Sequence, residues 1–171
     1  MRRFSYLIAL LLNIFPLPAI AQEFDKSALL AMEQALYLRV NEYRTAHHLP
    51  QLTWDLRISA VARQHSKSMA EGRAPFGHER FSQRLKLIAL PYRAASENVA
   101  ANSGYEQPDI QAMADWLSSP SHRQNLEGRY SRTGVGIACT ADEECFFTQI
   151  FIQENALQTR RSALVSNKTS L

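Results

Sequence analysis

Three residues in separate segments of the chain have side chains that can bind a metal ion or move a proton. His78 follows a glycine turn, Glu97 precedes a short apolar run, and His122 lies six residues after Trp116. A neutral imidazole is both a metal ligand and a proton carrier near neutral pH. A carboxylate can orient a histidine, bind a metal or act as a base. These residue types predict one shared site if the fold brings the three segments together.

Each of these signals also has a plain structural explanation. A lone exposed histidine is usually a polar surface group, and Glu97 can simply bridge two loops. His65 lies on the apolar stripe of a predicted helix with Ile58, Ala62 and Met69, so a hydrogen-bonded core histidine is favoured there over a ligand. The sequence has no serine elbow, H-E-x-x-H zinc helix, Walker loop or Rossmann glycine pattern.

Four helices are predicted to position these residues, because apolar side chains recur at steps of three and four. The predicted ranges are 25–47, about 55–70, 79–90 and 108–118. Asp55 or Thr53 is the candidate N-cap of the second helix. Pro120 ends the fourth helix, and Ser121 is predicted to cap a short turn that carries His122. The fourth helix is predicted to bury the face formed by Ile110, Met113 and Leu117.

Two strand-like runs, 133–139 and 145–152, follow the helices and predict an antiparallel hairpin. Helices first and strands later predict an α+β fold. Cys139 and Cys145 flank the polar turn of this hairpin, and in an exported protein they are predicted to form a disulfide. Two cysteines can also hold a metal, but a structural zinc site needs four ligands, and no other Cys or His lies nearby in sequence.

The first residues predict an export signal. Arg2 and Arg3 precede an interrupted apolar stretch over 7–17, and the Ala-Ile-Ala at 19–21 is a small-x-small cleavage site. A membrane anchor is the alternative, but it needs about 20 apolar residues and prolines break this run. We therefore expect residues 1–21 to be removed. The mature protein would then be secreted or periplasmic and have no membrane span.

The remaining chain is predicted to form one domain over 22–153, followed by a weakly basic flexible tail over 154–171. Of the 19 Lys and Arg residues, two lie in the export signal, so 17 basic residues face 16 acidic residues. This near-neutral balance predicts no nucleic-acid partner. We expect the mature protein to be a monomer.

Taken in order, the motifs resemble the CAP superfamily, also called the SCP domain, which covers cysteine-rich secretory, antigen-five and pathogenesis-related-one proteins. The likeness spans residues 36–152 and is closest to the bacterial branch. It rests on Val40-Asn41-Glu42-Tyr43-Arg44, Gly77-His78, Ser96-Glu97-Asn98-Val99-Ala100, Trp116, Ser119-Pro120-Ser121-His122-Arg123-Gln124-Asn125, Gly134-Val135-Gly136 and Thr148-Gln149-Ile150-Phe151.

The resemblance implies an α–β–α sandwich with a small central antiparallel sheet flanked by helices. It also implies a cleft that two histidines and two glutamates line in eukaryotic members, where the histidines can hold zinc. His78 and Glu97 match the first of each kind. The second glutamate falls on Ser119 and the second histidine on Phe146, whereas His122 belongs to the bacterial variant. Two readings follow: a divalent metal such as zinc on His78 and His122, or a hydrogen-bonded cleft without a cofactor.

The favoured function is a non-enzymatic binding module for a lipid, glycan or protein ligand, with His78, Glu97 and His122 as its binding residues. No complete catalytic set is visible, so an enzyme is the less favoured reading. The alternative is a metal-assisted hydrolase or peptidase of the cell envelope, in which these three side chains supply metal ligands or an acid–base pair. In a third reading the cleft residues only stabilise the fold.

We predict that Cys139 and Cys145 are both protected from alkylation in the native protein. Iodoacetamide applied without reductant should add no mass, because neither thiol is free, and reduction under denaturing conditions should release two reactive thiols. The bridge closes a short loop, so its stabilisation should sit near the low end of about 2–4 kcal/mol. Mass spectrometry that finds both cysteines labelled before reduction would refute the bridge.

Overall fold

The computed structural model describes residues 26–155, which form five helices and a four-stranded sheet. The predicted export signal, and the predicted tail beyond Asn155, lie outside the described residues. The elements in chain order are α1 (Lys26–Ala46), β1 (Thr53–Trp54), α2 (Leu56–Ala70), α3 (Phe81–Ile88), β2 (Tyr92–Asn102), α4 (Pro108–Ser118), α5 (Pro120–Glu127), β3 (Arg132–Cys139) and β4 (Cys145–Glu154).

The sheet lies between two helical layers, which confirms the α–β–α sandwich. Its strand order is β1-β3-β4-β2, with antiparallel pairing throughout except for the two-residue β1, which is parallel to β3. Side chains of a strand alternate between faces. Phe147 and Phe151 of β4 therefore pack with α1, α4 and α5, whereas Ile150 and Ile152 pack with α2 and α3.

Helix α2 lies directly on the sheet because two glycines of β3 leave room for its backbone. A Cβ atom at Gly136 would come within 2.0 Å of the Arg63 nitrogen, and one at Gly134 within 2.3 Å of the Ser59 nitrogen. Asp55, one of the two candidate caps in the sequence, caps this helix by accepting from the backbone N–H groups of Arg57 and Ile58.

A buried carboxylate covers the outer edge of β3, where the short β1 leaves backbone groups without a strand partner. Glu33 of α1 accepts from the Ile137 backbone N–H at 3.1 Å and from the Arg63 guanidinium of α2. Its side chain is fully buried. The carboxylate therefore joins one helix from each layer to an edge that would otherwise need a further strand.

Strand β2 was not predicted from the sequence. Residues 92–102 contain four alanines and five polar or charged residues besides Tyr92, with Val99 as the single β-branched side chain, so local propensity is weak. Pairing along the whole length of the aromatic and β-branched β4 makes this segment a strand. The third helix is also shorter than predicted, since Ala89 adopts a left-handed conformation at φ 52°.

Two details around α4 and α5 correct the sequence predictions. Of the predicted buried face of α4, Met113 is buried, Leu117 is partly buried and Ile110 is 39% exposed. The other buried residues of this helix are Pro108, Asp109, Ala112 and Trp116. Residues 120–127 form a two-turn helix rather than a capped turn. Its N-cap position is Ser119, with Pro120 as the first helical residue, so Ser121 lies inside the helix.

The predicted disulfide is present and joins directly opposed residues of β3 and β4. The hairpin itself is antiparallel, as predicted. Between residues 26 and 155, no helix combines the length and the apolar character needed to cross a membrane.

We predict that Gly136→Ala destabilises the protein by about 3 kcal/mol, because the new methyl group meets helix backbone that cannot move aside. Thermal and urea unfolding followed by circular dichroism would measure the loss. The control is Gly104→Ala, at φ 76° and with open space around it, where only backbone strain of about 1 kcal/mol is expected. Equal losses in the two variants would contradict the close packing of α2 on β3.

Candidate functional site

The structure brings His78, Glu97 and His122 together at the outer edge of β2, and we call this group the imidazole site. His78 Nδ1 lies 3.0 Å from Glu97 Oε1. The rings of His78 and His122 have centroids 6.4 Å apart, with planes inclined at 60°. Residues from the α2–α3 loop, from β2 and from α5 thus meet in one place, as the sequence motifs predict.

Arg84 of α3 forms a buried ion pair with Glu97, the carboxylate of this site. Its Nε donates to Glu97 Oε2 at 2.7 Å and its Nη2 donates to Glu97 Oε1 at 2.6 Å. Both side chains are buried, and the guanidinium also lies 5.7 Å from the centre of the Phe81 ring. The ion pair fixes the position of both Glu97 oxygens by two charge-assisted hydrogen bonds.

The Glu97 carboxylate also fixes the tautomer of His78. An ionised carboxylate can only accept, so the proton of the neutral imidazole must be on Nδ1. The Nε2 atom then carries the free lone pair, and half of the His78 side chain is exposed. Gly77 permits the approach of this loop, since its φ of 138° favours glycine.

Two asparagines dock α5 against the edge of β2 and so place His122. Asn98 Nδ2 donates to the His122 carbonyl at 3.1 Å. Asn125 Nδ2 donates to Asn98 Oδ1 at 2.8 Å and to the Glu97 carbonyl at 3.3 Å. Partial burial, together with the neighbouring His78, lowers the pKa of His122 and favours its neutral form.

His65 is a buried histidine with two hydrogen bonds, as the sequence predicts. Its Nε2 donates to the Gly77 carbonyl at 2.9 Å, and its Nδ1 lies 3.3 Å from Arg84 Nη1. Burial lowers the pKa of His65, and the nearby Arg84 adds to this effect. The ring is therefore neutral, with its proton on Nε2.

Sequence reasoning missed Arg84, Asn98 and Asn125 as parts of the site. Arg84 sits on the buried face of α3 with Leu85 and Ile88, and a single arginine there gives no local signal of its partner. Asn98 and Asn125 both lie inside the quoted motifs. The sequence did contain one indication for Asn125. It follows His122 by three residues, which places both side chains on one face of a helix.

The two family positions that differ in sequence have other roles in this structure. Phe146 is buried and packs with Met69 and Val99. The Ser119 hydroxyl lies 3.2 Å from that of Ser121 at the start of α5. Among residues 26–155, no three His, Cys, Asp or Glu side chains are grouped to hold a metal ion.

The remaining donor set fits a two-histidine arrangement. The Nε2 atom of His78 is free, and the other ring nitrogen, Nδ1, is hydrogen-bonded to the Glu97 carboxylate. Such a hydrogen bond is the usual support for a metal-bound histidine. His122 is neutral and adjacent. Arg84 engages both Glu97 oxygens, so Glu97 can support a ligand but is not itself a free one. The same two imidazoles can instead hydrogen-bond a polar organic ligand.

Comparison with solved structures finds the same fold in extracellular and surface proteins. An extracellular protein containing an SCP domain from Bacillus anthracis is 31% identical, with a TM-score of 0.65, over 75% of this chain and 42% of that one. An outer surface protein from Borrelia burgdorferi is 25% identical, with a TM-score of 0.63, over 73% of this chain and 94% of that one. A cysteine-rich secretory protein from Staphylococcus aureus, at 20% identity and a TM-score of 0.58, shares the fold over 72% of this chain and 38% of its own.

The chain therefore spans less than half of the Bacillus and Staphylococcus proteins and nearly all of the Borrelia protein. Comparison with curated proteins gives no match. Residues 37–151 match the sequence profile of the cysteine-rich secretory protein family, known as CAP. This match covers most of the chain and contains the whole imidazole site, so the chain belongs to the CAP family.

Proposed function

We propose that this protein is a binding module that holds a polar ligand at the imidazole site and catalyses no reaction. The observation that carries the proposal is the state of Glu97, the one carboxylate of the site. Its two oxygens accept from Arg84 and His78, and its side chain is 1% exposed. A general base needs a free lone pair within reach of the substrate proton, so Glu97 is not one. Its role is to orient His78, and we assign the exposed His78 Nε2 to ligand binding rather than to proton transfer.

The chemistry of the site favours some of the expected ligands over others. The groups available on the exposed side are the His78 Nε2 lone pair and the neutral His122 ring. Both form hydrogen bonds, and neither offers apolar surface for an acyl chain. Among lipid, glycan and protein ligands, this lining supports a glycan or a protein.

A metal-assisted hydrolase or peptidase is the second candidate, and one observation favours it. A carboxylate-bound histidine beside a second neutral imidazole is an arrangement that holds divalent ions. His78 and His122 would hold the ion, which would supply Lewis acidity toward a carbonyl group. Glu97 would then keep His78 oriented rather than act on the substrate.

We also infer that the protein works outside the cytoplasm. The Cys139–Cys145 disulfide persists mainly in oxidising compartments. The similar Bacillus and Borrelia proteins are described as extracellular and outer surface proteins. Together with the predicted export signal, these observations support a secreted or periplasmic location.

We predict that Glu97→Gln lowers the free energy of unfolding by about 3 kcal/mol or more, because it leaves the Arg84 guanidinium buried without a counter-charge. Urea unfolding would measure the change. Glu106→Gln is the matched control, since Glu106 is exposed and its substitution should leave the midpoint nearly unchanged. A Glu97 variant as stable as this control would show that the ion pair contributes little.

We predict that His78→Ala and His122→Ala keep the stability of the parent protein but each abolish its binding of zinc ions, because both imidazoles are at least partly exposed. Differential scanning calorimetry and titration calorimetry with zinc chloride would measure the two properties, with His48→Ala as an exposed control. A parent protein that binds no zinc would eliminate the hydrolase candidate. If instead both variants unfold readily and the parent binds nothing, the site is structural and the binding proposal fails as well.

A further inference from the structure

One buried ring contacts the two groups that support His78 and Glu97 of the imidazole site. His65 of α2 donates from Nε2 to the Gly77 carbonyl, the residue directly before His78. On its other side, Nδ1 faces Nη1 of Arg84, the residue that holds Glu97. The exposed fraction of His65 is 6%, so these two contacts are made away from bulk water.

The hydrogen-bond directions follow from the chemistry of the partners. A carbonyl only accepts, so His65 carries its proton on Nε2 and leaves a lone pair on Nδ1. A guanidinium only donates, so this lone pair is the acceptor for Arg84. The other acceptor for Arg84 Nη1 is the Glu79 carbonyl at 2.7 Å. Together with the two Glu97 oxygens, these two acceptors restrict the buried guanidinium to one orientation.

We propose that His65 is a positioning residue for the imidazole site, because its neutral ring holds Arg84 in the two-bond geometry on Glu97 and anchors the backbone that carries His78. The proposal deepens the proposed function, since it names what keeps the ligand-binding imidazole in place. Removal of the Nδ1 acceptor would free one guanidinium N–H in the interior, and Arg84 would turn to satisfy it.

Protonation of His65 would have the same effect as removal of the acceptor. The new N–H would point at an N–H of Arg84, and two positive charges would face each other. The charged and titratable groups around the ring are Arg84 from α3, Glu97 from β2 and His78 from the α2–α3 loop. A 460 Å³ cavity between α2 and α3 is lined by both His65 and Arg84, and the charged side chains of Arg73, Glu79 and Arg80 also line it.

The pH at which the geometry is lost follows from the direction of the shift. Burial lowers the pKa of His65 in the folded protein below its ordinary value of 6.5. The stabilisation from the neutral ring is therefore complete above pH 6.5. It is lost as the pH falls through the lower folded-state value, and Arg84 then loses its fixed position.

The experiment compares His65→Gln, which keeps one donor and one acceptor and does not titrate, with His65→Phe, which keeps a ring but has neither group. Nitrogen-15 NMR would report the Arg84 Nε–H resonance and the tautomer of His78 across the acid range, with His48→Gln as control. We expect the Arg84 resonance to shift with acid in the wild type and in His48→Gln but not in His65→Gln. His65→Phe should lose the Nδ1–H tautomer of His78 and bind zinc ions about tenfold more weakly, while His65→Gln keeps both.

The proposal is overturned if His65→Phe retains the His78 tautomer, or if the Arg84 resonance shifts in His65→Gln as in the wild type. If His65→Phe does not fold, the comparison of wild type with His65→Gln decides alone. Repeating the experiment in His78→Gln removes the imidazole that contacts Glu97, and the Arg84 shift should persist there. The NMR measurements need no ligand. A wild-type protein that binds no zinc would therefore argue against metal binding but would not contradict the proposed role of His65.

Discussion

The buried ion pair between Arg84 and Glu97 is the interaction on which the geometry of the candidate site depends. It takes two charges out of water, which is tolerable only because both are almost fully hydrogen-bonded. The N–H groups of the guanidinium donate to the Glu97 carboxylate, the Glu79 carbonyl and the His65 ring. The carboxylate in turn fixes His78. One buried charge pair therefore converts an exposed loop histidine into an oriented one.

The scaffold around this pair is a sheet that needs protection at both edges. Glu33 satisfies the β3 edge at Ile137. At the β2 edge, the Trp116 indole donates to the Val99 carbonyl at 3.1 Å, and Asn125 donates to the Glu97 carbonyl. Side chains thus satisfy backbone groups that would otherwise invite another strand. At β2, Asn125 also helps Asn98 to place His122, so the protection of this edge and the assembly of the site share Asn125.

The site is a reduced version of the family pattern described above. An apolar side chain occupies position 146 and a short hydroxyl occupies position 119, so two of the four expected polar groups are replaced. The carboxylate that remains is engaged by an arginine. These substitutions leave the cleft without the second glutamate and the second histidine of the pattern, and with two imidazoles, His78 and His122, near its surface.

Much of the fold could be predicted from local sequence. The ends of α4 were predicted without error, the pairing of the terminal hairpin was also predicted, and Asp55 was one of two candidate caps for α2. Each of these predictions rests on a proline, a cap residue or a run of β-branched side chains. Strand β2 could not be predicted, since its alanine-rich segment becomes a strand only beside β4. The two-turn helix α5 was underestimated for the same kind of reason, because its docking depends on Asn98, which lies on another element.

The residue types and their spacing identified the side chains with the chemistry to form a site, namely two imidazoles and a carboxylate, and a pair of cysteines able to form a disulfide. They also indicated the family. The role of Glu97 became visible in the folded chain alone, because its partner Arg84 lies on another element and has no recognisable motif around it. The same holds for His65, whose two hydrogen bonds join α2 to the loop and to α3. The sequence specifies the type of each side chain. The partner of each hydrogen bond, and which of the two groups donates, depends on which distant residue the fold places next to that side chain.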